Sequence, residues 1–113
     1  MAATPGARID RTLTALADPK RRRVIELLRE RPYRAGELAS AVGLAPPALS
    51  RHLRTLRASG LVEERHPELD TRVRIYALNA SAMRELRRWL DETERLWADQ
   101  LAAFKAHVER AER

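Results

Sequence analysis

A chain of 113 residues, 44% of them hydrophobic, is long enough for one core of domain size and not for two. Its 22 Lys and Arg against 16 Asp and Glu leave a formal charge of +6, and every basic residue except Lys20 and Lys105 is arginine, the side chain suited to bidentate contact with phosphate and guanine edges. The absence of cysteine excludes disulfides, thiolate metal sites and cysteine nucleophiles, and no apolar run approaches the ~20 residues that span a bilayer. An arginine-rich composition also follows from a GC-rich genome, so composition alone does not decide for nucleic acid; the clustering of the arginines does.

Residues 1–7 are small and turn-forming, and disorder is expected there. They carry neither the charged nor the apolar region of a secretory signal, so a cytoplasmic location with no membrane partner is expected. A short helix is predicted over residues 8–16, with Ile9, Leu13 and Leu16 on one side. Asp18 followed by Pro19 marks the start of a second helix, running to about residue 31. It buries Val24, Leu27 and Leu28, with Ile25 at the margin, and exposes Lys20, Arg21, Arg22 and Arg23 at its start. Pro32 closes it. A third, short helix over residues 35–42 turns Leu38 and Ala39 inward and ends at Gly43.

The next helix is the most informative stretch. Pro46 or Pro47 occupies its first turn, where the missing amide proton would have no partner anyway. Gly60 sits where a left-handed C-terminal cap is wanted. Between them Leu49, Leu53 and Leu56 fall at i, i+4 and i+7, while the opposite face carries Ser50, Arg51, Arg54 and Arg57, with His52 part way round. Two short helices joined by Gly43-Leu44-Ala45 have the spacing of a helix-turn-helix, and an arginine face opposite a core-docking stripe suits a DNA major groove.

Beyond Gly60 the period changes. Residues 61–65 and 72–78 read as two strands, the second with Val73, Ile75 and Ala77 inward and Arg72, Arg74 and Tyr76 outward. The polar link 66–71 is expected as the tip of the hairpin, which makes this segment (61–78) a wing. Ser81, with Glu85 assisting, is expected to cap a long last helix over residues 81–110. Its apolar positions Met83, Leu86, Leu90, Trp97, Leu101, Phe104 and Val108, widened by Trp89 and Leu96, approach a heptad seam. Such a helix is roughly 45 Å long, more than a small domain covers, and a second copy of the chain is the simplest partner for its second half. The fold class expected is therefore mainly α with a small β-hairpin, a winged helix-turn-helix spanning residues 8–113.

The order of elements resembles the ArsR-type winged-helix transcriptional regulators. The resemblance rests on Leu16-Ala17-Asp18-Pro19-Lys20-Arg21-Arg22-Arg23-Val24-Ile25-Glu26-Leu27-Leu28, on Gly36-Glu37-Leu38-Ala39, and on Pro47-Ala48-Leu49-Ser50-Arg51-His52-Leu53 followed by Leu56 and Gly60-Leu61-Val62. It spans about residues 10–79, and it implies a homodimeric repressor of a palindromic double-stranded DNA operator. Carried onto this chain, Ile9, Leu13, Trp97, Leu101, Phe104 and Val108 are the dimer candidates. Completion of the monomer core is the competing role, and the one favoured for Leu86 and Leu90. Pro47, Ser50, Arg51, His52, Arg54 and Arg57 on the recognition helix and Arg72 and Arg74 in the wing are the DNA candidates. Base edges fall to Ser50, Arg51 and Arg54, phosphate to Arg57, and the backbone or the minor groove to Arg72 and Arg74 of the wing. His52 is expected to pack or to meet the backbone. Where the family often carries Ser-Gln before its proline, this chain has Ala45-Pro46, which removes a hydroxyl cap and an amide able to read adenine.

Many family members release DNA on binding metal, through cysteines or through histidine and carboxylate pairs on the last helix. Here Asp91, Glu94, Asp99, His107 and Glu109 include one histidine only, so no metal site and no cofactor are expected, and the inducing signal is left open. A metal-sensing repressor using that helix, or a protein-interaction module of the same fold without specific DNA binding, are the alternatives. An enzyme is not expected: the few glycines lie at helix ends or the N-terminus, and the histidines are far apart in sequence.

Overall fold

The computed structural model describes residues 5–67 and 72–112. The expected disorder of residues 1–4 and residues 68–71 of the expected hairpin tip lie outside them. In chain order the elements are α1 (Pro5–Leu16), α2 (Pro19–Leu28), β1 (Tyr33–Arg34), α3 (Ala35–Val42), α4 (Pro46–Ala58), β2 (Val62–Arg65), β3 (Ile75–Leu78) and α5 (Ala80–Ala111). Helix α1 begins earlier than expected. Residues 5–7, anticipated as part of a disordered arm, are helical, with Pro5 in the first-turn position that proline tolerates best.

The start of α2 follows from local chemistry. Asp18 Oδ1 accepts the amide protons of Lys20 (2.8 Å) and Arg21 (3.3 Å), and Pro19 opens the first turn. Partial desolvation pushes the Asp18 carboxyl up. Those two amide donors and the charges of His52 and Arg21 outweigh it and hold the group below the ordinary aspartate value. Helix α3 is capped differently: Glu37 Oε1 accepts the backbone N–H of Arg34 at 3.0 Å, and the Arg31 guanidinium bonds its other oxygen at 3.1 Å. The Arg34 amide first and Arg31 second hold Glu37 below the usual carboxylate range. Arg31 also lies over the Tyr33 ring, 3.8 Å from its centroid.

Gly43 and Gly60 end α3 and α4 at positive φ (73° and 80°), the conformation that L side chains rarely adopt. The amides of Gly43 and Leu44 both return to the Ala39 carbonyl, so the helix-turn-helix corner is closed by two 3.0 Å hydrogen bonds. One core collects Val24, Ile25, Leu27 and Leu28 of α2, Leu38, Ala39 and Val42 of α3, Leu49, Leu53 and Leu56 of α4, and Leu61, Val62 and Tyr76 from the sheet side. Leu38, Leu49, Leu56, Leu61 and Val24 have essentially no exposed surface.

Five expectations are corrected by the sheet and by α5. The hairpin is joined by a third strand, in the order β1-β3-β2, with Tyr33 opposite Tyr76 and Arg34 opposite Ile75. Because β3 is central, its alternation is not the simple one expected: Tyr76, anticipated outward, is buried in the core, and its neighbour Ala77 is buried on the other face. Arg72 and Arg74 precede the strand rather than belonging to it. Helix α5 is capped not by Ser81 with Glu85 but by Asn79, whose Oδ1 accepts the Ser81 amide at 3.0 Å and hydroxyl at 2.7 Å. Glu85 instead pairs with Arg8 of α1. Leu90, favoured for the monomer core, is half exposed, because α5 leaves the head after Leu86. That departure makes the molecule 73 × 34 × 21 Å.

Candidate nucleic-acid interface

The stripe of α4 that docks into the core fixes where its other face points. With Leu49, Leu53 and Leu56 buried, Pro47, Ser50, Arg51, Arg54 and Arg57 are exposed together. Arg51 and Arg54 make no ion pair with any described residue, so their guanidinium groups are free to meet an anion or a base edge. Arg54 also borders a groove of about 440 Å³ between α4 and Asp10, Arg11 and Thr14 of α1.

Arg57 is different. Its guanidinium bonds Glu64 Oε2 at 2.9 Å, while Arg74 Nε reaches Glu64 Oε1 at 3.3 Å. The end of the recognition helix and the wing are thereby joined through one carboxylate. Arg72 and Arg74 are exposed as expected, and they share a hollow of about 230 Å³ with Arg34, Ala35 and Gly36 at the start of α3. Arg34 was not singled out by the sequence. Its signal was its place just before the capping glutamate Glu37, but only the β1–β3 pairing brings it beside the wing.

His52 turns inward. Its half-buried ring lies against α2, with Nδ1 3.3 Å from an Arg21 guanidinium nitrogen. The same Arg21 donates to the carbonyls of Ala15 (2.7 Å) and Thr14 (3.1 Å), and Arg22 donates to that of Leu16 (2.8 Å). Lys20 donates to the Val42 carbonyl at 2.9 Å. The basic run at the start of α2, expected as an exposed face, thus covers the last carbonyls of α1 and α3, which have no partner within their own helices.

Along α5 the described residues Met83, Trp89, Leu90, Leu96, Trp97, Leu101, Phe104 and Val108 are all exposed large apolar side chains, joined by Leu13 of α1. Ile9 is half buried and lines the crevice between α1 and α5 with Trp89. Among the described residues no three His, Asp or Glu side chains come together as a metal site, and no helix is long and apolar enough to cross a membrane.

Comparison with known proteins agrees with this geometry. The family described as bacterial regulatory protein, arsR family, matches residues 18–64, from the α2 cap to Glu64. The HTH-type transcriptional regulator Rv2034 of Mycobacterium tuberculosis is 38% identical over 95 residues, covering 84% of this chain and 83% of that protein. The transcriptional repressor SdpR of Bacillus subtilis is 25% identical over 76 residues, covering 67% and 81%. Among solved structures, an ArsR-like transcriptional regulator from Rhodococcus superposes with a TM-score of 0.77 at 27% identity, covering 88% of this chain and 91% of its own. Residues shared at this level over nearly the whole length carry the same helix-turn-helix and wing, and this chain belongs to the ArsR family: it is a non-enzymatic, DNA-binding transcriptional regulator of winged-helix fold.

Proposed function

We propose that the protein is a homodimeric repressor that reads a palindromic operator through paired α4 helices and does not respond to metal. Ser50, Arg51 and Arg54 meet base edges, Pro47 lies at the groove entrance, and Arg57, Arg72 and Arg74 meet the backbone, with His52 positioned from within. The observation that carries the DNA reading is the contrast on α4 between a fully buried leucine stripe and two exposed arginines without ion-pair partners among the described residues.

The dimer rests on the exposed apolar face of α5 with Leu13. A contiguous apolar surface of this length on one helix is an interface in waiting, and Trp97, Leu101, Phe104 and Val108 repeat at the spacing of a helix-packing seam. Ile9 contributes from the crevice beside it. The repressor sense is supported by the likeness to SdpR, and metal independence by a chain that has no cysteine and one histidine on α5. A cytoplasmic site of action goes with this role.

Fluorescence anisotropy against DNA from upstream of the protein's own gene and against a scrambled duplex, each titrated with salt and with zinc, tests the reading. Binding at least a hundredfold tighter to the upstream duplex and indifferent to zinc is the expected outcome for a self-regulating repressor. Equal binding to both would leave only the basic charge at work, and release by zinc would overturn metal independence.

A further inference from the structure

Glu64 is out of place for a DNA-facing wing. Strand alternation sets it on the same face of β2 as buried Val62, and it lies directly opposite buried Tyr76 on β3. Its side chain is consequently only 11% exposed. A carboxylate drawn that far from water needs counter-charges, and it has them on both oxygens: Arg57 on Oε2 and Arg74 on Oε1, with His66 Nε2 3.9 Å from the latter. Both arginines remain open outward, 48% and 61% exposed, so each keeps N–H donors able to reach a phosphate.

We propose that Glu64 is a specificity-determining residue, an internal counter-ion that suppresses sequence-independent DNA binding by Arg57 and Arg74. The inference rests on the DNA-binding role and deepens it. Binding to any duplex is driven by release of counterions from the phosphates that a protein neutralises. Two arginines bridged by one carboxylate carry one net charge instead of two, and so release fewer. The same bridge fixes the wing against the last turn of α4, so that both donors meet phosphate only in the register a correctly docked helix sets. Arg51 and Arg54, with no such partner among the described residues, keep their full charge for the groove. Base-reading and backbone-reading arginines are thus treated oppositely by one acidic residue.

The test compares Glu64→Gln with the unaltered protein on a scrambled 30-bp duplex and on a duplex selected by the unaltered protein from a randomised pool. The isosteric amide still accepts hydrogen bonds, and circular dichroism melting checks that the fold is retained. On the scrambled duplex the variant is expected to show a log–log salt slope steeper by about one unit, with binding near 0.1 M salt tighter by roughly fivefold to tenfold. The ratio of selected to scrambled affinity is expected to fall several-fold. Glu64→Asp, which keeps the charge, should retain the original slope, and the triple variant Arg57→Ala, Arg74→Ala, Glu64→Gln should lose the added unit. An unchanged slope in Glu64→Gln, or a steeper one that survives in the triple variant, would overturn the role of Glu64 alone. Failure of the unaltered protein to bind any duplex would remove the DNA-binding role as well.

Discussion

In α4, Leu49, Leu53 and Leu56 are no more than 3% exposed; in α5, Trp97, Leu101 and Phe104, at the same i, i+4, i+7 spacing, are between 51% and 66% exposed. The local pattern is identical and the outcome opposite. The difference lies in what the rest of the chain offers: α4 is surrounded by α2, α3, β2 and α1, whereas α5 touches α1 near its start and then runs on alone. Periodicity says which face of a helix is apolar, and only the supply of neighbours says whether that face becomes core or interface.

The sharpest way to break the comparison is to truncate one residue of each stripe. Leu56→Ala leaves a cavity in a site with no exposed surface and should cost about 2–5 kcal/mol in chemical denaturation, enough to unfold much of a marginal domain. Phe104→Ala should leave the folded head intact in circular dichroism while raising the dimer dissociation constant at least tenfold, about 1.4 kcal/mol or more, in sedimentation. If Phe104→Ala instead unfolds the protein without first giving a monomer, the two stripes are more alike than their exposure shows.

The charged faces sharpen the contrast further. Arg54→Ala is expected to weaken binding to a selected operator by about 1–3 kcal/mol with a smaller loss on scrambled DNA, measured by anisotropy. Equal losses would move Arg54 to the backbone. Arg8→Ala removes the one cross-helix ion pair described between α1 and α5, but both partners face water, so a loss of only about 0–1 kcal/mol is expected. The smallest effect belongs to Asp18. Its pKa is lowered in the folded state, so its charge stabilises α2 above the unfolded-state value, and that stability is lost as pH falls through the folded value. The gap in Tm between the protein and Asp18→Asn should therefore narrow between about pH 6 and about pH 3 in a thermal melt.

Much of the architecture was legible because local signals agreed with one another. Asp18-Pro19, Gly43 and Gly60 each mark a boundary by backbone chemistry alone, and the leucine stripe of α4 reads directly as a buried face. What stayed hidden depends on partners distant in sequence. The two-residue strand β1 has no pattern of its own and exists only because Tyr33 and Arg34 find β3. The same pairing makes β3 central and buries Tyr76, where a two-stranded hairpin would have exposed it. On the candidate DNA face, the exposure of Ser50, Arg51 and Arg54 followed from helix geometry. The bridging of Arg57 and Arg74 by Glu64 did not, because a carboxylate in a polar-looking strand gives no sign that it points inward. The run Lys20-Arg21-Arg22 reads as surface, and Lys20 and Arg22 are exposed with Arg21 half-buried, but the carbonyls these side chains cover are partners that no sequence pattern displays.

Arg21 has a mechanical meaning. One planar guanidinium grips the final turn of α1 through two carbonyls and the flank of α4 through His52. It acts as a pin through three helices, and the recognition helix hangs from the end of the helix that leads back to Leu13 and Ile9. A lysine in its place, with all its donors on one atom, would not span those three sites. Arg21→Lys would keep the charge and lose the linkage between these three helices.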